Sequence, residues 1–513
     1  MTSPPSDPPS SPTPAVNGWN QRFDFTADLP TAGSLGSVHF IAIGGAGMSG
    51  VARVMLARGI TVSGSDAKES LVLTALTAEG ARVHVGHDAS HLEGADTVVI
   101  SSAIRESNVE LREARSRGLR VLHRAQALAV VMQGSRRVAV AGANGKTTTT
   151  SMLVVALQHC GVDPSFAVGG EIAKHGTNAH HGAGDIFVAE ADESDGSFLV
   201  YRPEVAIVTN VQPDHLDFYG TFEAVKAAYA TFAATVAPGG VLVTCVDDEG
   251  SSALGEVARA AGTRVITYGL APKADVRLTD VGGVGLHAHA QLTGLGRGPA
   301  GSTAIGLLEI GMPGRHNLLN ATAAFVAATD GLGQDPARVL QGLAGYTGTR
   351  RRFEPKGDVA GVRVVDDYAH NPGKVAAVVE TASALAGPGR LVVIFQPHLY
   401  SRTRDFAAEL AAALSPADIV IVMDVYAARE DPMPGVSGAL VTDQLISGGS
   451  HAAGEDLYFV PSWSDVAPLA AQIARAGDLV LTVGAGDVTM IGPEILRLLG
   501  GGPDPAAAGA GPR

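Results

Sequence analysis

Short apolar runs rich in β-branched residues alternate along most of the chain with longer Ala/Leu-rich stretches of helical period. Parallel strands joined by crossover helices leave this pattern, so the fold class is α/β. Three such series follow one another. The first begins at Val38-His39-Phe40-Ile41-Ala42-Ile43 and runs to about Gln133, where the short polar stretch Gln133-Gly134-Ser135-Arg136-Arg137 reads as a linker. The second opens with Val138-Ala139-Val140-Ala141 and continues through Ile186-Phe187-Val188-Ala189 and Val205-Ala206-Ile207-Val208 to about Gly345. Strands of the third are expected at Val362-Arg363-Val364-Val365, Leu391 to Phe395, Ile419 to Val422 and Leu479 to Val483. Apolar runs this continuous suit sheets covered on both faces. Between Asp275 and Ile310 short alternating segments with many glycines predict a small antiparallel insertion. The expected division is a disordered tail over 1–36, a Rossmann-like domain over 37–133, a central P-loop-type domain over 137–345, a Rossmann-like C-terminal domain over 346–499 and a loose tail over 500–513.

A length of 513 residues agrees with about three domains, and 46% apolar content supplies a core for each. The net charge of −14 leaves no basic stripe for nucleic acid or an anionic bilayer. Cys160 and Cys245 are too few for a disulfide framework, and neither lies in a metal-binding spacing, so a reducing cytoplasm is expected. The first fourteen residues, six of them proline, lack the charged start and apolar run of a signal peptide. No apolar segment is long enough to span a membrane. Oligomeric state is left open between monomer and homodimer.

Gly142-Ala143-Asn144-Gly145-Lys146-Thr147-Thr148-Thr149 is the most informative string, because it follows a buried-type strand and enters a helical stretch. Glycines let backbone N–H groups curl around an oxyanion, the helix start adds positive potential, Lys146 reaches terminal phosphates, and Thr147 or Thr148 can ligate magnesium. ATP with Mg2+ is the expected ligand. The spacing is shorter than the general P-loop pattern, since position 140 is valine. Two acidic strings then follow strand-like runs, Glu190-Ala191-Asp192-Glu193-Ser194-Asp195 and Asn210-Val211-Gln212-Pro213-Asp214-His215-Leu216-Asp217. The C-terminal ends of parallel strands are where α/β sheets bind ligands. Either string alone is more often a solvated turn.

Pro313-Gly314-Arg315-His316-Asn317-Leu318-Leu319-Asn320 sets His316 and Asn320 on one helix face, where an amide can read an adenine edge; a cap by Asn317 is the simpler alternative. Gly348-Thr349-Arg350-Arg351-Arg352-Phe353-Glu354 lies where the second and third series meet, either a solvated face or a phosphate contact. Asp366-Asp367-Tyr368-Ala369-His370-Asn371-Pro372 and Gln396-Pro397-His398-Leu399-Tyr400-Ser401-Arg402 end two strands of the third series, a placement suited to a substrate carboxylate. Near the start, Gly45-Ala46-Gly47-Met48-Ser49-Gly50 follows a strand, and Asp66 stands some twenty residues on. That is a dinucleotide fingerprint by its letters, yet the same turn accepts any pyrophosphate, in NAD or in a UDP-sugar.

Together these strings resemble the Mur ligase family over roughly residues 38–495. Its phosphate loop is usually Gly-Thr-[His/Asn]-Gly-Lys-Thr-Thr, with Ala143 here replacing the threonine. The Glu-Ala-Asp-Glu-Ser-Asp form is typical of the alanine-adding branch. The resemblance implies ATP-dependent ligation of L-alanine to the lactyl carboxylate of UDP-N-acetylmuramate through an acyl phosphate, in peptidoglycan precursor synthesis. It makes Lys146, Glu193, His215 and Arg402 catalytic, with Thr147, Glu193 and His215 on magnesium and Glu190 in reserve. ATP falls to the 142–148 loop with His316, Asn320 and Arg351, and the UDP-sugar to Gly45, Ala46, Gly47, Met48, Ser49, Asp66, Ser101 and Ser102. The amino acid falls to His370, His398 and Arg402, with Asn371 and Leu399 standing where many relatives have histidine and arginine. Several relatives carry a carbamoylated lysine fifteen residues after the histidine; that position is Ala230, and Lys226 is out of register, so no carbamate is expected. His370 is the one candidate considered for deprotonating the amine. Other readings are a ligase adding a whole tripeptide to the same sugar nucleotide, a catalytically silent family member, and an NAD-dependent oxidoreductase using the first glycine turn.

Overall fold

A computed structural model describes residues 22–295, 302–428 and 430–501. Its strands form three sheets. In the first, β1 (Val38–Ile41), β2 (Val62–Asp66), β3 (Arg82–Val85), β4 (Thr97–Ile100) and β5 (Arg120–His123) are parallel in the order β3-β2-β1-β4-β5. The second holds β6 (Arg136–Ala141), β7 (Ser165–Ile172), β8 (Thr177–His180), β9 (Ile186–Glu190), β10 (Val205–Val208), β11 (Val241–Cys245), β12 (Arg264–Gly269), β13 (Val276–Val284), β14 (His287–Leu295) and β15 (Ser302–Ile310). Their order is β15-β14-β13-β12-β11-β10-β6-β9-β7-β8. The third runs β16-β17-β21-β18-β19-β20, from β16 (Glu354–Val359), β17 (Val362–Asp367), β18 (Leu391–Phe395), β19 (Ile419–Val422), β20 (Leu457–Phe459) and β21 (Leu479–Val483). Helices flanking these sheets include α1 (Ala46–Ala57), α2 (Arg124–Val131), α3 (Lys146–His159), α4 (Arg315–Val326), α5 (Pro336–Ala344) and α6 (Pro372–Ala386).

The residue types explain the layers. Val205 to Val208, Leu391 to Phe395 and Leu479 to Val483 are buried at every position, as strands with helices on both faces must be. Topology then sets the functional edge. β6 lies between β9 and β10 and is parallel to both, so the loops leaving these three strands emerge side by side. In the third sheet β17 and β18 flank β21, which brings the loops after β17 and β18 to one end.

The expected antiparallel segment is present and is continuous with the central sheet. β13 pairs in parallel with β12 through Tyr268 and Gly269, and β14 and β15 extend the same sheet. Asp275 pins the join: its Oδ2 accepts from Thr267 N at 2.8 Å and Thr267 Oγ1 at 2.7 Å. The central series also starts earlier than expected, since Arg136 already belongs to β6. Of the expected tails, residues 1–21 and 502–513 lie outside the described residues. Residues 22–36 are packed rather than loose: Phe25 and Leu35 are buried, and Arg22 pairs with Glu106 at 2.8 Å. Apolar side chains behind the proline-rich start supply that packing. No helix among the described residues is long and apolar enough to cross a membrane.

Candidate active site

The loop after β6 is shaped by two glycines. Gly142 has φ 136°, and a Cβ there would stand 2.0 Å from Thr209 Oγ1. Gly145 caps α3 at φ 88°, with a Cβ position only 2.4 Å from Asn320 Oδ1. A side chain at either would need a costly backbone and a displaced neighbour. Loop and neighbouring strand are tied together as Asn144 N donates to Asn210 Oδ1 at 2.9 Å, while Asn210 Nδ2 and Thr209 Oγ1 donate to Asn144 O. Lys146, first residue of α3, donates to Gly142 O at 2.7 Å and to Glu193 Oε1 at 2.9 Å. Burial disfavours its ammonium, but Glu193, Asp192 and Glu190 more than offset this and hold its pKa above the usual lysine range.

The two acidic turns meet at that lysine. Thr147 Oγ1 donates to Glu190 Oε1 at 3.1 Å, and Gly169 N to Glu190 Oε2 at 2.7 Å. Glu193 is buried, which raises its pKa against the pull of Lys146 and His215, and its Oε2 has no hydrogen-bond partner. His215 Nε2 lies 3.7 Å from Glu193 Oε1, on a residue with φ 53°. A left-handed non-glycine residue is uncommon and concentrates at functional turns.

From the third domain, Asp214 gathers three donors. Asn371 Nδ2 donates to Asp214 Oδ2 at 3.0 Å, Lys374 Nζ is 4.0 Å from the same oxygen, and Arg402 Nη2 is 3.7 Å from Oδ1. Burial alone would raise the Asp214 pKa; His215, Lys374 and Arg402 reverse this and hold it below the carboxylate range. Arg402 Nη1 is buried with no hydrogen-bond partner. His370 Nδ1 must donate to Tyr368 O, at 2.9 Å, because a carbonyl can only accept. Burial, Lys374 and Arg402 push the His370 pKa well below its usual value, so the ring is neutral with Nε2 as an acceptor. Its centroid is 5.4 Å from that of His398. These groups line one cavity of about 1540 Å³, together with Lys146, Thr147 and Glu190. A smaller cleft of about 320 Å³ opens at the Gly45-Ala46-Gly47 turn, and Ala46, Gly169, Glu190 and Asp192 line both.

Three family models match this arrangement in order: the Mur ligase family catalytic domain over 37–136, the Mur ligase middle domain over 140–328 and the Mur ligase glutamate ligase domain over 351–486. The chain belongs to the Mur ligase family. Among curated Mur ligases it is 55% identical over 466 residues to the UDP-N-acetylmuramate–L-alanine ligase of Renibacterium salmoninarum, covering 91% of this chain and 96% of that one. The enzyme of the same name from a Mycobacterium species (strain JLS) is 51% identical over 496 residues, with 94% and 99% covered. Among solved Mur ligases, the UDP-N-acetylmuramate-alanine ligase of Thermotoga maritima superposes with a TM-score of 0.74 at 29% identity, over 90% of this chain and 98% of its own.

Several residues singled out by the Mur ligase resemblance take positions the sequence does not disclose. Arg351 lines the larger cavity beside Arg350 and Arg352, with its guanidinium anchored on the third domain, donating to Gly484 O at 2.7 Å and Gly486 O at 2.9 Å and lying over the Tyr368 ring. The arginine that reaches the Lys146 loop is Arg352, whose Nη2 donates to Thr147 Oγ1 at 3.2 Å. Arg350 is mostly exposed and pairs with Glu171. Asn317 does not cap α4, which starts at Arg315; it is buried and donates to Pro313 O. Asn320 lies beneath Gly145, and burial takes the His316 pKa down to about 4. In the first domain Asp66 Oδ2 accepts from Gly44 N at 2.9 Å, bracing the turn. Met48 is largely buried in α1 but lines the smaller cleft with Gly45, Ala46 and Gly47, whereas Ser49 is buried within the helix. Ser101 lines the cleft, whereas Ser102 is engaged with His123 and Asp195. Lys374 and Arg352 were missed; a single lysine and one member of an arginine run carry no signal until α6 and the 349–353 turn aim them.

Proposed function

We propose that the chain joins L-alanine to the lactyl carboxylate of UDP-N-acetylmuramate, cleaving ATP to ADP and phosphate. The supporting observation is the meeting in one cavity of the Lys146 loop, two acidic turns and the Arg402 cluster, with the glycine-turn cleft opening into it through Glu190 and Asp192. Relatives of that name at 51% and 55% identity point the same way.

A carboxylate cannot expel oxide at neutral pH, so activation comes first. A lactyl oxygen attacks the γ-phosphorus of ATP, the bond to the β-γ bridging oxygen breaks, and ADP leaves. Lys146 spreads the developing charge, and Arg352 stands on the same side. Magnesium suits the residues present, because Glu193 Oε2 is a buried carboxylate oxygen without a partner and Thr147 Oγ1 lies beside Glu190. Glu190, Thr147, Glu193 and His215 would hold it, and it would neutralise phosphate charge there. Next, the alanine amine attacks the acyl phosphate carbonyl, the carbon–oxygen bond to phosphate breaks, and the amide forms. Arg402 takes the alanine carboxylate with the nitrogen it has spare, neutral His370 Nε2 accepts a hydrogen bond from the amine, and the amine proton ends on the departing phosphate. Ala46, Lys146 and Arg402, one from each domain, line the cavity in which the acyl phosphate would form.

A cytoplasmic location belongs to the same proposal and agrees with the free Cys160 and Cys245. ADP release by the purified chain with UDP-N-acetylmuramate, offered L-alanine, glycine, L-serine or the L-alanyl tripeptide, tests the assignment. Alanine should be strongly preferred, and turnover selective for the tripeptide would overturn it. Lys146→Ala should abolish turnover while calorimetry still registers UDP-N-acetylmuramate.

A further inference from the structure

Lys374 lines the larger cavity and has as yet no part in the reaction. It lies in the first turn of α6, where its backbone N donates at 2.9 Å to the side chain of Asn371, the residue capping that helix. The helix start thus sets its place. A cation in the first turn opposes the helix dipole, so local helix energetics give no reason for a lysine here. Its side chain is 18% exposed, and Nζ lies 4.0 Å from Asp214 Oδ2. That separation is longer than a hydrogen bond, and the same carboxylate also serves Asn371 and Arg402. The N–H donors of Nζ stay available to a group in the cavity.

Lys146 and Arg352 line the same space. Both are close enough to disfavour charge on Lys374, adding to the burial that takes its pKa down to about 8. Like charges gathered in this way repel unless an anion stands among them. Lys146 opens α3, and Arg352 bonds Thr147 beside it, so these two mark where the terminal phosphates of ATP would lie in the proposed ligation. Lys374 reaches that place from the third domain, and through Asp214 it is tied to Arg402 on the amino-acid side. It therefore links the nucleotide end of the cavity to the amino-acid end.

We propose that Lys374 binds the phosphoryl group throughout its passage from ATP to the lactyl carboxylate and on to free phosphate, holding it from the third domain while Lys146 holds it from the central one. The lysine makes and breaks no covalent bond and passes no proton. As the lactyl oxygen–phosphorus bond forms and the bond to ADP breaks, its ammonium faces the phosphoryl oxygens. It faces the same oxygens when the carbon–oxygen bond to phosphate breaks and their charge grows. The domain that carries Arg402 is thereby drawn onto the activated group, which couples amine attack to completed activation. This inference rests on the ligase reading.

Calorimetry on the full chain with magnesium, using ADP and the β,γ-imido analogue of ATP as probes, tests it. Lys374→Met should weaken the analogue by roughly tenfold to a hundredfold and ADP by less than about threefold, since only the analogue carries the phosphate that Lys374 would touch. The kcat for ADP release should fall by a similar factor, with the KM for L-alanine little changed. Equal losses for the two nucleotides, or none for either, would sink the inference. A raised KM for L-alanine with the ratio of analogue to ADP affinity unaltered would do so too, because Lys374 would then serve the amino acid. If the unaltered chain takes up neither nucleotide, it is the ligase reading that fails. Should Lys374→Met misfold, judged by circular dichroism, Lys374→Gln replaces it and is read against the same outcomes.

Discussion

Gly145 and Lys374 show how much hangs on single positions. Gly145 holds a left-handed conformation against Asn320, so Gly145→Ala combines backbone strain of about 1–3 kcal/mol with a displaced Asn320. ATP affinity should fall at least tenfold with a lower thermal midpoint, and calorimetry finding wild-type affinity would contradict this. Lys374 is buried beside Lys146, and its pKa drops to about 8 from 10.5, mainly through lost hydration. Between those values the unfolded chain keeps a proton that the folded chain has released, so stability rises with pH across the window, by roughly 3 kcal/mol in all. Thermal midpoints at pH 7.5 and 9.5 should diverge between wild type and Lys374→Met, the wild type gaining relative to the variant at the higher pH. Parallel shifts would refute the assignment.

At the scale of elements, the strand–loop–helix unit from Arg136 to His159 positions the chemistry, and its neighbours hold it. α5 packs against α3 and begins at a proline, with Asp335 accepting from Arg338 N at 2.9 Å as the cap. Asp335→Ala should cost about 1 kcal/mol of stability and leave the KM for ATP unchanged, as chemical denaturation and kinetics would show. A raised KM would mean that α5 does more than support. The apolar runs told of these elements well, because a strand buried on both faces has little freedom of composition. They did not reveal that β13 continues the central sheet, since a two-residue parallel pairing leaves no periodicity to read. Nor could three adjacent arginines disclose which one faces the loop. That choice is made by the 349–353 turn, where Arg351 and Phe353 have positive φ.

Across the whole molecule, Asp214 of the central domain meets Asn371, Lys374 and Arg402 of the third. Asp214→Asn keeps an acceptor for Asn371 but removes the charge that draws the other two. The KM for L-alanine should rise on the order of tenfold, with ATP affinity little altered and a larger radius of gyration by small-angle scattering. A change confined to magnesium dependence would instead place Asp214 with His215. The sequence by itself determined the α/β class, the glycine-rich loop with its lysine, the two acidic turns and the family, because each depends on residues adjacent in the chain or at a short fixed spacing. Only the tertiary structure decided that Arg352 and Lys374 join the site, that Arg351 is anchored on the third domain at its edge, and that Glu190 sits on Thr147 while Glu193 pairs with Lys146. Those relations link residues tens to hundreds of positions apart, and the order of strands in a folded sheet, not spacing along the chain, brings them within bonding distance.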